Sequence, residues 1–195
     1  VEQYLGKKQF IFLYFSAGLG AVLFQLGFYY FEFYSHASSI FELNLSDDVI
    51  KTIVNFDIRD GIYYSRELFQ ENLIPVLQNS GIDSINREQF DALYIMNTIA
   101  QPSMVGASGC IMGILAAFGV MNPNAELMLM FLPIPIKAKY FIPGIILLDI
   151  ISAFSGQSFF SPSNTAYMAH VGGAAIGFIM MWYWKKNSFN KNRWN

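Results

Sequence analysis

Two polar residues stand in apolar stretches where water should be scarce. Ser108 lies in Gly106-Ala107-Ser108-Gly109 at the head of one such stretch, and His170 lies in Ala169-His170-Val171-Gly172-Gly173 within another. A polar or ionisable group inside a membrane span is costly to keep there, so each reads as functional, with the other as its partner. A serine hydroxyl is a weak nucleophile until a base within hydrogen-bond reach takes its proton, and neutral histidine is the commonest base for that task. The pair suggests hydrolysis inside a bilayer. Gly106 and Gly109 let the backbone turn tightly beside the serine, and the Ser108 amide at a helix N-terminus could stabilise an oxyanion. Serine and histidine supply nucleophile and base without help, so neither a metal nor an organic cofactor is expected.

Both motifs also have a plainer reading. Gly-Ala-Ser-Gly is a small-residue packing surface, Gly109 with Gly113 makes a GxxxG pair, and Gly173 with Gly177 makes another. His170 could equally serve as a histidine that hydrogen-bonds a neighbouring helix backbone. Packing and catalysis reinforce each other here, since a short serine–histidine contact needs two helix backbones that approach closely.

The elements that must position these residues follow from the composition. Of the 195 residues 54% are hydrophobic and only 13% charged, which fits an integral membrane protein better than a soluble domain. A net charge of -2 and the lack of a basic footprint give no support to nucleic-acid binding. The single cysteine, Cys110, cannot form an intramolecular disulfide and reads as a packing residue. Four spans are expected: Phe10 to Phe31; about Ser108 to Met121, short for a crossing; about Tyr140 to Phe154; and about Ala166 to Trp184. The second lies in an uncharged stretch from Ala92 to Ala125 that Pro102 and Gly106 should break, so its start must be sheltered by protein.

Between the first two spans, residues 34–91 carry ten acidic and four basic side chains and form a water-exposed insertion. Val49, Ile53 and Phe56, then Ile62, Leu68 and Leu73, recur at helical spacing and predict short amphipathic helices. The other eight bases fall at Lys7 and Lys8, Lys137 and Lys139, and Lys185, Lys186, Lys191 and Arg193. All lie on one side of a four-span topology, which sets both chain ends in the cytoplasm and the insertion outside. Trp182, Tyr183 and Trp184 fit an aromatic belt at the cytoplasmic interface. Asp149 sits in the third span, where an unpaired carboxylate would be costly, so it should be protonated or bonded to a neighbouring helix in a structural role.

Glu2 to Gln25 together with GASG at 106–109 and AHVGGAAIG at 169–177 resembles the rhomboid intramembrane serine proteases. The resemblance implies an all-α, polytopic transmembrane bundle, a single partial membrane domain over 1–195 with the 34–91 insertion inside it. It implies Ser108 as nucleophile and His170 as base. On this matching the four spans correspond to helices three to six of a six-helix core. The family's first two helices, and the His-x-x-x-Asn that helps form its oxyanion hole, have no counterpart here, so the chain should lack part of its catalytic site. Met112 stands where the family often has an aromatic that stacks on the histidine. Phe154, Phe159 and Phe160 border a region resembling the family's lateral gate.

The expected function is cleavage of peptide bonds in or near transmembrane segments of membrane proteins, through an acyl-enzyme on Ser108 with His170 as base and then acid. The expected partners are transmembrane protein substrates and the lipid bilayer, with no nucleic acid; no residue pattern sets an oligomeric state. The expected location is the bacterial inner (plasma) membrane. The alternative is a catalytically inactive member of the same fold that binds transmembrane helices.

Overall fold

The computed structural model describes residues 1–61, 63–101, 107–129, 132–155 and 166–191. Among them are seven α-helices: α1 (Glu2–Ser39), α2 (Asp47–Val54), α3 (Arg66–Asn79), α4 (Arg87–Ala100), α5 (Ser108–Met121), α6 (Ala138–Ser155) and α7 (Tyr167–Lys191). Two antiparallel ribbons accompany them, β1 (Arg59–Asp60) with β2 (Tyr63–Tyr64), and β3 (Glu126–Leu129) with β4 (Leu132–Lys137). The architecture is the helical bundle expected, and the start of α5 at Ser108 coincides with the break expected between Pro102 and the second span. Contacts divide the chain into two units, Val1–Gly27 with Val105–Asn195, and Phe28–Met104.

In the first unit, α1 buries Leu13, Ala17, Gly20, Ala21 and Gln25, a stripe at helical spacing. Other faces of the same helix leave Phe12, Phe15, Leu19 and Leu23 between 62% and 69% exposed. A helix that is apolar on its exposed face as well as its buried one is a membrane span, and here the exposed face is the lipid-facing one. Length and hydropathy together qualify α1 and α6 as crossings, while α5 is apolar but only 14 residues long. Gly6, at φ 75°, interrupts the first turns of α1 in a conformation that glycine adopts without a Cβ clash.

The bundle is closed by small residues. A Cβ added at Gly173 would run into the Gly109 carbonyl, and one at Gly177 into the Gly113 carbonyl. On the other side of α5, a Cβ at Gly109 would sit 2.5 Å from the Ala21 methyl, and one at Gly113 would strike Ala17. Thus α5 lies backbone-to-backbone on α7 and is held against α1 by alanines. Both GxxxG pairs foreseen in the sequence therefore face each other, which is what small-xxx-small spacing permits in a bilayer. Leu13, Ala117 and Met181 form one buried cluster; Met112, Ala116 and Ala174 form another, onto which Ile145 and Ile146 of α6 pack. The Lys185 ammonium donates to the Val120 carbonyl at 2.8 Å, setting a cation at the C-terminal end of α5.

The second unit has a core of its own, built from Ile40, Ile53, Ile58, Phe69, Leu73, Leu77, Ala92, Leu93 and Met96. Phe69 is fully buried and meets Phe56, Phe90 and Tyr94 edge-on at 5.4 to 6.0 Å. Each helix starts on a cap: Ser46 accepts from the Val49 N–H, Ser65 from the Leu68 N–H, and Asn86 and Gln89 form a reciprocal capping box. The expected amphipathic helices form, with two departures. Phe56 lies beyond the end of α2, and Ile62 lies outside the described residues. α2 ends at its cap Asn55, and Gly61 (φ 64°) stands between β1 and β2 in a left-handed conformation that glycine adopts without a Cβ clash. Four polar groups pin this turn region to α4. Asn97 Nδ2 donates to the carbonyls of Ile53 (2.8 Å) and Phe56 (3.1 Å), and Gln101 Nε2 donates to Phe56. The Tyr64 hydroxyl donates to the Gln101 carbonyl at 2.6 Å, and the Tyr94 hydroxyl to the Tyr64 carbonyl at 3.2 Å.

Candidate active site

Ser108 is the first residue of α5 and is exposed. The first helical bond of α5 runs from the Ile111 N–H to the Ala107 carbonyl, and Ala107 has no side chain able to cap the turn. The amides of Ser108, Gly109 and Cys110 precede that bond, at the positive end of the helix, where a developing negative charge is stabilised. Gly106 of the motif lies outside the described residues, as do Phe159 and Phe160.

His170 sits in the first turn of α7, 9% exposed. Its neighbour Ala169 is the residue whose carbonyl a Cβ at Gly109 would approach to 3.3 Å. The residue after the serine and the residue before the histidine are thus close neighbours across the α5–α7 interface. Gly113, Gly173 and Gly177 continue that interface by one or two turns on either helix. Among the described residues no hydrogen bond joins Ser108 to His170. The imidazole is instead held from its other side, with Nδ1 3.0 Å from Oδ2 of Asp149 on α6. Asp149 is 5% exposed. It is bonded to a neighbouring helix, as its burial demanded; the identity of that partner was not evident from spacing, because no periodic pattern links residues 21 apart on separate helices.

A second polar group supports the same turn of α7. Gln25, 3% exposed on α1, accepts the Ala169 N–H through Oε1 at 3.0 Å. The same N–H also donates to the Ala166 carbonyl at 3.0 Å, so Gln25 supplies a second acceptor at the head of α7. The signal for it was present, a lone amide in the uncharged run from Phe10 to Phe31 falling on the stripe of Leu13, Ala17 and Ala21. One turn before His170, the Tyr167 hydroxyl is buried and has no hydrogen-bond partner among the described residues. Met112 lies one turn after Ser108, buried beside Ala116 and Ala174. The Cys110 sulfur packs where a Cβ on Gly18 would come within 2.6 Å, in keeping with a packing role.

The fold and these buried polar groups define a polytopic helical membrane protein with a serine and a histidine at the heads of two tightly packed helices. The Rhomboid domain family model matches residues 89–187, and the chain belongs to that family. It is 33% identical over 121 residues to presenilin-associated rhomboid-like protein A, mitochondrial, of Danio rerio. That alignment covers 54% of this chain and 29% of the zebrafish protein, so the chain matches less than a third of its relative's length. No solved structure matches the chain. Membership makes this an integral membrane protein.

Proposed function

We propose that the chain carries the catalytic core of an intramembrane serine protease that cleaves peptide bonds in or near transmembrane segments of membrane proteins. The observation that carries this reading is the glycine-lined α5–α7 contact, in which Gly109 beside Ser108 abuts Ala169 beside His170. A contact made only for packing would require the glycines. It would not require a nucleophile and a base at adjoining positions on the two strips. Ser108 Oγ attacks the scissile carbonyl while His170 Nε2 takes its proton. The tetrahedral oxyanion lies toward the first-turn amides of α5. Collapse passes the proton from His170 to the leaving amine and leaves an ester on Ser108, which a water activated by His170 then hydrolyses. Gly106 belongs to the same turn in this reading, and Gly113, Gly173 and Gly177 hold the helices together. No metal or organic cofactor enters the scheme.

The substrate must offer an unwound stretch, because a peptide bond inside a helix is shielded by its own hydrogen bonds; small or helix-breaking residues near the cleaved bond are therefore expected. Both chain ends share one face of the membrane in this reading, with the insertion on the other. The bacterial plasma membrane expected from the sequence gains no support from the comparisons, since the relative's name describes a mitochondrial protein. The test is cleavage of a membrane-embedded reporter helix in lipid vesicles by the full-length native protein, beside Ser108→Ala and His170→Ala. Cleavage by the parent that falls to background in both variants supports the protease. A folded parent that binds reporter helices and cleaves none selects the inactive helix binder.

A further inference from the structure

Resting on the serine-protease reading, we infer that Asp149 is a positioning residue that sets the working tautomer of His170, making the site a Ser-His-Asp relay across three helices. An isolated carboxylate in an apolar helix costs several kcal/mol to keep charged, so a buried aspartate is retained where a partner compensates it. Here that partner is the imidazole of His170, Nδ1 to Oδ2 at 3.0 Å, with both residues buried. A plain packing role would be served by any group that hydrogen-bonds the ring. The carboxylate does something more specific, because it can only accept. It therefore fixes the proton on Nδ1 and leaves the Nε2 lone pair as the acceptor for the serine proton. When Nε2 takes that proton, the imidazolium forms 3.0 Å from a negative charge already in place. In this arrangement α6 becomes part of the site without touching substrate.

Asp149→Asn separates this role from adhesion between helices. The amide keeps the size and the hydrogen bond, but it donates to Nδ1 and so puts the ring proton on Nε2, the wrong nitrogen. Two measurements on the full-length native protein in nanodiscs test it. The first is the rate at which a fluorophosphonate probe labels Ser108. The second is the 15N spectrum of the His170 imidazole, assigned by the signals that His170→Gln removes. The expected results are a Nδ1–H tautomer in the parent, a switch toward Nε2–H in Asp149→Asn, and a labelling rate at least about 10-fold lower at unchanged melting temperature, with about 10⁴-fold as the upper range. A labelling rate within about threefold of the parent in folded Asp149→Asn, or a Nε2–H tautomer in the parent itself, overturns the inference. If Asp149→Asn does not fold, the parent spectrum alone decides it. Failure of the protease reading has a different signature, an unlabelled parent, and the tautomer assignment then stands or falls on the spectra.

Discussion

Gln25 shows what a single buried amide does in this protein. Its side chain, on α1, accepts from the backbone of α7 at Ala169, next to His170. Gln25→Ala removes one of the two acceptors of the Ala169 N–H and leaves the Ala166 carbonyl as the other, a loss of about 0.5–1.5 kcal/mol. The melting temperature in detergent should fall, while Gln25→Glu, which retains an acceptor, should recover part of the loss. At the same scale, Ser108→Ala should remove reporter cleavage without lowering stability, whereas His170→Ala should remove cleavage and also lower the melting temperature, since it takes away the partner of the buried Asp149 carboxylate. Ser108 is exposed and makes no hydrogen bond among the described residues, so its truncation leaves nothing buried unpaired. The proposed nucleophile and base are the most legible part of the sequence, because a serine between small residues and a histidine in an apolar run are conspicuous by cost. Their supports were less so. Asp149 stood out as a carboxylate in a span, but which helix it faces depends on the rotation of α6, and periodicity does not fix that. Gln25 carries no charge and was passed over for that reason.

The elements are held by close backbone approach rather than by large side chains. Gly173→Ala puts a methyl against the Gly109 carbonyl, and the helices must part or the backbone must shift. Overpacking of this kind costs about 1–3 kcal/mol. Because Gly109 adjoins Ser108, the variant should lose cleavage as well as stability. Gly144 in α6 is the matched control: a Cβ there meets nothing within 4 Å, so Gly144→Ala should leave cleavage intact and raise stability by up to about 1 kcal/mol. Thermal melts of the two variants check the contrast. A second element-scale prediction concerns α3. The carboxyl of Glu67 is held below the usual carboxylate range by its own backbone N–H, by the Ser65 hydroxyl at 3.0 Å and by the adjacent Arg66. A carboxyl lowered in the folded state contributes stability at neutral pH and loses it as pH falls through its folded value. Protection factors at the start of α3, which correct for the intrinsic pH dependence of amide exchange, should therefore fall on acidification, and Glu67→Gln should flatten that dependence. Run length places α5 and α6 to within about two residues, whereas α1 runs past the expected Phe10 and Phe31 at both ends and α7 past Trp184, because a helix need not stop where its apolar run does. The two ribbons could not be read in advance: β1–β2 depends on a glycine turn of four residues and β3–β4 on a pairing between short strands, and neither leaves a long enough period to read.

At the scale of the whole molecule, two compact units with separate cores share one chain. The second unit, Phe28–Met104, surrounds Phe69 with three aromatic rings and closes α4 onto the β1–β2 region through Asn97, Gln101 and Tyr64. Phe69→Ala empties that centre at a cost of about 3–5 kcal/mol. Hydrogen exchange should show protection lost from α2, α3 and α4 while α5 and α7 keep theirs. Loss of protection throughout would mean that the cores are not separable. In the sequence, acidic side chains crowd residues 34–91, and long uncharged runs flank them. The unit extends further on both sides, because the end of α1 supplies Phe33 and Ala37 to its core and α4 supplies Leu93 and Met96. Those last two belong to an uncharged stretch that reads equally well as membrane, since burial in protein and burial in lipid select the same side chains.

The most direct measurement is mass-spectrometric mapping of a fluorophosphonate adduct on the full-length native protein in lipid, with His170→Ala alongside. An intramembrane serine protease gives an adduct on the peptide containing Ser108 and little or none when His170 is replaced. An unmodified Ser108 in a folded parent, or modification that does not depend on His170, contradicts the catalytic reading.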